Sequence, residues 1–405
     1  MDKGALNGIK VLDFTWLFVG PMTTKFLGDL GATVVKIETQ KRPDEARVMV
    51  PYKDGTSGLN RSLLFANYNS SKYDMLLNLN HPKGPEIFKR LVTWADIVIE
   101  AHRAGTMKRW GLQYEELKGV KPDIIMVSHT MQGQTGSMAL QPVHGILFQA
   151  QLGFPHLTGW QDREPIVPPT PYSDYIAPFF VFAAIMAALD YRQRTGKGQY
   201  IDISQSEASL HFLAPVLLDY MVNGREQSRM GNRDPVVCPH GVYRCKGEDR
   251  WCAITVCTNK EWESFCRVLG NPRWTKDKRF STILERKKFE DELDKLIERW
   301  TLNFTAEGVM EMMQGEGVAA GVVENGEDLV DKDPQLRYRH HFRELEHSEI
   351  GTYKCEAPSF KLSKSPIKIQ MPAPCLGEHT EYVCKKILGM TDEEFIKLLN
   401  EGVFS

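Results

Sequence analysis

Residues 8–38 read GIKVLDFTWLFVGPMTTKFLGDLGATVVKIE, and this stretch predicts the fold. Two strand-like apolar runs, 8–14 and 34–38, flank a segment with helical spacing at 22–30. A Gly-Pro turn precedes that segment and Gly31 follows it, as is typical of a helix start and a helix end. A strand, a helix and a second strand in succession predict a βαβ unit with parallel strands.

The same alternation continues along the chain. Further elements are expected as a helix at 83–93, strands at 96–99 and 123–127, a helix at 177–194 and a strand at 199–204. Strands that alternate with helices predict an α/β fold with a Rossmann-like, doubly wound parallel sheet. The first strand is not followed by G-x-G-x-x-G, and no G-x-x-x-x-G-K-[ST] occurs, so the sequence supports neither NAD nor ATP as a ligand.

Two polar stretches predict the domain boundaries. A polar segment after Gly224 and a second one near Asp331 divide the chain into 1–224, 225–330 and 331–405. The first part is the N-terminal part of the large Rossmann-like domain. The middle part reads as a small α+β domain that opens with a hairpin, and the last part is expected to return to the large domain.

Composition and charge exclude several classes of protein. The 405 residues carry 50 basic and 52 acidic side chains, so no basic excess indicates nucleic-acid binding. The longest apolar stretch, 176–189, contains a proline and is shorter than the ~20 residues that span a bilayer. The first residues do not resemble a signal peptide, so a cytoplasmic protein is expected. Eight cysteines without a C-x-x-C pair predict free thiols and no metal site.

Asp174 is the first candidate for chemistry. It lies in the loop PTPYSD, directly before an apolar helix. One interpretation is a carboxylate that interacts favourably with the start of the helix. The other is a nucleophile beside an apolar wall. Its position alone does not distinguish the two.

Several other ionisable residues lie near the ends of predicted elements. His144 and Glu100 are possible acid or base groups, whereas Lys72, Arg103 and Arg109 bring positive charge to predicted loops and helix starts. Taken one at a time, the three cations are most simply solvated surface charges. Taken together, they suit a ligand with several phosphates.

Several segments spread along the chain are diagnostic in combination. They are LNGIKVLDF and LGDLGATVVKIE at the start, IEAHRAGTMKRWGL at 99–112, QAQLG at 149–153, RTGKGQYIDIS at 194–204, PHGVYRCKG at 239–247, DPQL at 333–336 and PCLGEHTE at 374–381. The order of these segments resembles the class III CoA-transferases, which include the formyl-CoA:oxalate, carnitine and benzylsuccinate CoA-transferases. The segment at 99–112 is similar to V-E-N-F-R-P-G-x-x-x-R-x-G-L in that family, and the resemblance covers nearly the whole chain.

This resemblance implies that Asp174 is the nucleophile of a CoA transfer. Its carboxylate would form an anhydride with the donor acyl group and then an aspartyl-CoA thioester, with succinyl-CoA as a possible donor. An aromatic acid such as benzylsuccinate is a possible acceptor. Two alternatives stay open: an α-methylacyl-CoA racemase with His144 and Asp174 as the acid/base pair, and an inactive subunit of a heteromeric transferase.

The resemblance also implies the binding residues. Leu17 and Phe18 are expected at the nucleotide end of CoA. Contacts to the adenosine phosphates and pantetheine are expected from Lys72, Ala101, Arg103 and Arg109, and His144 and Gln149 are expected to face the substrate.

The chain departs from the family pattern at three positions. Ala101 replaces an asparagine, and Gly145 follows His144 where an acidic residue is common. Thr39 replaces an arginine that follows the second strand, so one of the nearby basic residues Lys41, Arg42 or Arg47 is expected to hold a phosphate.

The architecture that the resemblance implies is an interlocked dimer, in which two chains thread through each other. The partner is either an identical chain or a homologous subunit. CoA enters as a substrate, and no tightly bound cofactor, nucleic acid or membrane is expected.

Overall fold

A computed structural model describes residues 4–141, 143 and 145–405. Its strands β1 to β11 are, in chain order, Lys10–Phe14, Thr33–Glu38, Lys72–Leu76, Ile97–Glu100, Ile125–Thr130, Tyr200–Ser204, His240–Arg244, Trp251–Thr255, Ala319–Val322, Phe342–His347 and Gly351–Glu356. The first six form one sheet in the order β3-β2-β1-β4-β5-β6, and every neighbouring pair is parallel. This is the strand order of the Rossmann fold. The predicted α/β class with a parallel sheet is therefore confirmed.

The helices surround these strands. Helices α1 to α17 are, in chain order, Val19–Asp29, Leu63–Tyr68, Gly84–Trp94, Thr106–Arg109, Tyr114–Val120, Gly145–Gln151, Phe154–Leu157, Tyr172–Thr195, Gln205–Leu210, Ala214–Asn223, Asn259–Val268, Ile283–Lys288, Glu290–Thr301, Ala306–Gly315, Pro334–Arg339, Thr380–Tyr382 and Asp392–Asn400. Helix α1 begins earlier than predicted because Pro21 lies in its first turn, where a missing N–H is tolerated. The glycine before it is required, since a Cβ on Gly20 would lie 2.2 Å from the Cβ of Thr15.

Helix α8 lies against the sheet and differs from its prediction. It starts at Tyr172 rather than at 177, so Asp174 lies inside its first turn and Pro178 lies within the helix. The helix is long and apolar enough to cross a membrane by length and composition. However, Ala177, Val181 and Ile185 form one fully buried stripe in the same core cluster as residues of β1, β4 and β5. The stripe identifies α8 as a core helix.

The chain divides into two compact units. Unit 1 comprises Met1–Gly153, Pro168–Glu226 and Tyr338–Ser405, and unit 2 comprises Phe154–Val167 and Gln227–Arg337. The polar stretches predicted boundaries at 224/225 and 330/331, and no sequence pattern indicated that 154–167 belongs to unit 2. Those residues pair with a distant part of the chain, since the Gly231 N–H donates to the Gly159 carbonyl. Pairing of this kind leaves no local sequence signal.

Unit 2 contains the predicted hairpin. Strands β7 and β8 pair antiparallel, and β9 adds a third strand that the sequence did not predict. Helices α11, α13 and α14 also contribute to its core, with Phe265, Leu293 and Ile297 fully buried.

Strand β3 was also missed in the sequence, because charged residues interrupt its apolar run. Lys72 and Asp74 lie in this strand, and both are fully buried. Charged side chains of this kind are seldom buried unless they are paired. Lys72 pairs with Asp13 of β1 and Asp74 pairs with Arg47, so the strand is stabilised by contacts that its own pattern does not show.

Candidate active site

The site lies where the order of the strands reverses. The chain leaves β1 toward β2 on one side, and β4 lies on the other side of β1. In open parallel sheets, ligands bind outside the carboxyl ends of the strands at this switch point. Leu17 and Phe18 follow β1, and Ala101 and Arg103 follow β4. The sheet therefore brings these four predicted CoA-binding residues to its ligand-binding edge.

The loop after β1 is held by buried ionic groups. The Lys36 ammonium donates to the Thr15 carbonyl at 2.7 Å and pairs with Asp44 at 2.9 Å. The same aspartate accepts the Leu17 N–H at 3.0 Å. Leu17 has a φ of 65°, which is unfavourable for a residue other than glycine, so the loop conformation depends on this support.

Lys72 does not lie where a phosphate contact requires it. Its ammonium is fully buried and donates to Asp13 at 3.0 Å, to the Pro21 carbonyl at 2.9 Å and to the side-chain oxygen of Asn69 at 2.8 Å. An ammonium has three N–H donors, and all three are used. The geometry therefore weighs against the predicted CoA contact, and it gives Lys72 a structural role beside β1.

Arg47 has a similar internal role. Its guanidinium lies 2.7 Å from Glu38 and 3.3 Å from Asp74, and all three side chains are fully buried. It is therefore not free to replace the missing arginine at Thr39. By contrast, Arg42 is exposed, pairs with Glu45 and lies 4.8 Å from the Trp16 ring centroid. Lys41, Arg42 and Arg47 were the basic residues expected to hold a CoA phosphate in place of the missing arginine, and burial excludes Arg47 from this role.

The turn after β4 presents the predicted arginines to solvent. The Arg103 side chain donates to the Leu140 carbonyl at 2.6 Å, and Arg109 donates to Thr106 at 3.2 Å. Glu100 is buried, and burial raises its pKa to about 7; its carboxylate accepts the His102 N–H at 2.7 Å. Beyond this turn lies a cavity of about 220 Å³, lined by Ala101, His102, Arg103, Thr130, Met131, Gln132, Ala139, Gln141 and Val143.

Asp174 is partly buried in the first turn of α8. Burial raises the pKa of its carboxyl group to about 6, and hydrogen bonds with the side chains of Gln205 and Ser173 oppose that shift. The Gln205 amide donates to Oδ1 of Asp174. The neighbouring residue Tyr175 lies with its ring centroid 6.2 Å from that of Phe18, and its hydroxyl lies 3.3 Å from that of Tyr68. The structure therefore places the predicted nucleophile beside the loop that follows β1.

Two residues, His144 and Gln149, were expected to face the substrate. His144 lies outside the described residues. Gln149 is buried, and its amide donates to the Thr170 carbonyl at 3.1 Å. Thr170 lies just before α8, so Gln149 supports the loop that leads to Asp174. Its side-chain oxygen is buried without a hydrogen-bond partner among the described residues.

Sequence reasoning did not single out Gln205 or Tyr68. Gln205 directly follows β6 in the run YIDISQ, at a carboxyl end of the sheet, and this position was the available signal. All eight cysteines are free thiols, as expected. Within the part of the chain that the structure describes, no group of three or more histidine, cysteine, aspartate or glutamate side chains could hold a metal ion.

Comparisons with known proteins identify the family of this chain. Residues 6–380 match the sequence profile of CoA-transferase family III. The chain is 29% identical over 399 residues to succinyl-CoA:glutarate CoA-transferase of Homo sapiens, covering 98% of this chain and 89% of that relative. It is 28% identical over 402 residues to the beta subunit of succinyl-CoA–L-malate CoA-transferase of Chloroflexus aurantiacus, covering 98% of each chain.

A solved structure gives the same result. The crystal structure of a CaiB/BaiF family protein from Brucella suis matches with a TM-score of 0.86 and 28% sequence identity, covering 96% of this chain and 100% of that one. Sequence and structure thus agree over almost the full length, and the chain belongs to CoA-transferase family III, whose enzymes use acyl-CoA as substrate.

Proposed function

We propose that this enzyme moves CoA from a donor such as succinyl-CoA to a free carboxylic acid, with Asp174 as the covalent nucleophile. The observation that carries this proposal is the position of Asp174. Its carboxylate is partly buried, accepts a hydrogen bond from the Gln205 amide and lies on a helix beside the loop at the switch point of the sheet. A carboxylate that is partly removed from water is suited to attack a thioester.

The transfer of CoA proceeds in four steps and consumes no ATP. Oδ2 of Asp174 attacks the acyl carbon of the donor, the C–S bond breaks, and CoA leaves as a thiolate. The thiolate attacks Cγ of the resulting anhydride, releases the donor acid as a carboxylate and forms an aspartyl-CoA thioester. The acceptor carboxylate then attacks the same Cγ and releases the thiolate. In the last step the thiolate attacks the acceptor acyl carbon and frees Asp174.

CoA would bind along the carboxyl ends of β1 and β4. Leu17 and Phe18 would contact its nucleotide end, and the exposed Arg103 and Arg109 would face its phosphates. Trp16 Nε1 and His102 Nε2 are buried at this end without a partner among the described residues. Polar groups of CoA would satisfy these atoms, since buried polar atoms are usually hydrogen-bonded.

The acceptor is proposed to be a dicarboxylic acid. The names of the two relatives give glutarate and L-malate, which are aliphatic dicarboxylates. Benzylsuccinate is a dicarboxylate with an aromatic group, and Phe18, Tyr68 and Tyr175 supply aromatic surface beside Asp174. His144 and Gln149 are proposed to orient the acid. Assays with glutarate and benzylsuccinate as competing acceptors will distinguish an aliphatic from an aromatic preference.

The partner is proposed to be a second chain in an interlocked dimer. One relative is named as a beta subunit, so both a homodimer and a pair of homologous subunits are consistent with the family. The cytoplasm remains the proposed location. A low activity of the isolated chain that increases when a homologous subunit is added would identify a heteromer.

Mass spectrometry of the intact enzyme tests the covalent role of Asp174. After incubation with succinyl-CoA and a hydroxylamine quench, we expect a mass change that maps to Asp174 and that is missing in the Asp174→Asn variant. An unmodified Asp174, together with deuterium exchange at the α-carbon of a branched acyl-CoA, would instead establish the racemase with His144 and Asp174. If neither the mass change nor the deuterium exchange is observed, even with a homologous subunit added, both activities are contradicted.

The pH dependence gives an independent prediction. Because burial raises the pKa of Asp174 to about 6 and only the carboxylate attacks, kcat/KM should rise with pH through about 6 and level off above it. Initial rates at low acyl-CoA concentration between about pH 5 and 8 will show this limb. A rate that falls across this interval would contradict the carboxylate as nucleophile.

A further inference from the structure

We propose that the Gln205 side-chain amide is the oxyanion donor for the two steps that occur at Cγ of Asp174. This proposal rests on Asp174 as the covalent nucleophile. It adds a second catalytic residue to the site, because the amide contacts an atom that changes charge during the reaction.

The position of Gln205 is set by rigid elements. It is the first residue of α9, directly after β6, and its side chain is buried. The Ser204 hydroxyl accepts the Glu207 N–H and caps this helix. Helix α8, which carries Asp174, is tied to the segment after α9 by the stacked rings of Phe180 and His211, whose centroids lie 5.2 Å apart. The amide is therefore held against Asp174 before any substrate binds.

The contact selects one oxygen of Asp174. The Gln205 amide donates to Oδ1, and the Ser173 hydroxyl also interacts with this carboxylate. We assign the attack on the donor to Oδ2, the oxygen that Gln205 does not contact. After acylation of Oδ2, Oδ1 becomes the carbonyl oxygen of the aspartyl anhydride. In the aspartyl-CoA thioester, Oδ1 is again the carbonyl oxygen. The amide thus remains beside the same atom through all the covalent states.

Charge develops on this atom twice in the cycle. When CoA thiolate attacks Cγ of the anhydride, the C=O electron pair moves to Oδ1. The same shift occurs when the acceptor carboxylate attacks Cγ of the thioester. A donor already in place stabilises such an oxyanion without reorganisation. The other two steps place the negative charge on the acyl oxygen of the donor or of the acceptor, and not on Oδ1.

Substitution of Gln205 therefore has an unequal effect on the steps. Methionine has a similar length but no N–H, so Gln205→Met removes the donor and retains most of the volume. Loss of one oxyanion donor lowers kcat by about 10²- to 10³-fold in other acyl-transfer enzymes. We expect a loss of about 10²-fold in overall transfer. Cleavage of the donor thioester in the first step should stay within about threefold of wild type, because its charge lies elsewhere.

Rapid-quench mass spectrometry with succinyl-CoA measures the two steps separately. In Gln205→Met we expect fast release of CoA and accumulation of the acylated Asp174, with slow appearance of the aspartyl-CoA thioester. The acidic limb of the pH profile should also move upward, since the lost hydrogen bond lowers the pKa of Asp174 in the wild type. A residue that only supports the fold would change neither the order of the intermediates nor this limb.

Two further variants complete the test. Ser209→Ala is the matched control, because this buried hydroxyl donates to the Gln205 carbonyl at 2.8 Å in the same helix. It should leave the ratio of the two steps unchanged. If Gln205→Met does not fold, Gln205→Leu provides a second side chain of similar volume that has no hydrogen-bond donor. It should show the same accumulation.

The results of these experiments distinguish a failure of the Gln205 proposal from a failure of the proposed function. If the wild type forms no covalent species at Asp174, the proposed function fails. If the wild type forms both species and Gln205→Met does so at the same rates, only the role of Gln205 is wrong. An equal loss in both steps would also overturn that role, since it would indicate a general disturbance of the site.

Discussion

Asp174→Asn should lower the rate of CoA transfer by about 10⁴-fold or more, with little change in stability. The asparagine amide has the same shape and can accept the Gln205 hydrogen bond through its oxygen. However, an amide nitrogen is a poor nucleophile, so neither the anhydride nor the thioester forms. Steady-state rates with succinyl-CoA and glutarate, together with the thermal midpoint of each protein, measure the two quantities.

Two further variants test whether the loss of activity is specific to the carboxylate of Asp174 and to its position. Asp190→Asn is the matched control, because Asp190 lies on the same helix, is exposed and pairs with Arg194 at 2.8 Å; it should retain full activity. Asp174→Glu keeps the carboxylate but moves it by one methylene, and a loss of about 10²-fold is expected from the misplacement. Retention of more than about one part in a hundred of the activity in Asp174→Asn would contradict covalent catalysis at this residue.

Lys72→Met should lower the free energy of unfolding by about 3 to 5 kcal/mol. The substitution removes the ammonium that pairs with fully buried Asp13 at 3.0 Å. Burial alone would raise the pKa of Asp13, but Lys72, Lys36 and two threonine hydroxyls offset it and lower the pKa to about 2. Asp13 is thus charged in the folded state, and it would lose a partner on β3. Urea unfolding of both proteins measures the difference.

A double variant and a control separate structure from binding. Asp13→Asn with Lys72→Met removes both charges, so it should recover part of the lost stability. Arg103→Ala should change the free energy of unfolding by less than about 0.5 kcal/mol, because the side chain is exposed. It should instead raise the KM for acyl-CoA. If Lys72→Met is stable and has an increased KM for acyl-CoA, this result would support the phosphate contact that the family resemblance implies for Lys72.

Local patterns were sufficient for the first βαβ unit and for the C-terminal end of helix α8. Apolar periodicity, a proline in the first turn and a glycine after the last turn act within a few residues, so the sequence shows them directly. The resemblance of whole segments identified the family. It also turned Asp174 from one of two interpretations into the predicted nucleophile. These inferences needed no knowledge of which strands are neighbours.

Tertiary structure decided the roles of the charged residues. Lys72, Arg47 and Arg103 are all basic residues near element ends in the sequence, yet the first two are fully buried in ion pairs and only the third is exposed. Burial and pairing depend on partners that are distant along the chain. A single sequence therefore cannot distinguish a phosphate ligand from a buried ion pair.

The sequence by itself determined the α/β class through local periodicity and the family through the order of motifs, and the resemblance to that family predicts Asp174 as the nucleophile. Only the tertiary structure placed Gln205 against Asp174, 31 residues earlier in the chain. It also placed Phe18 beside Tyr175, through the packing of two helices on one sheet. Contacts between side chains depend on how elements pack in space, and spacing along the chain does not encode that packing.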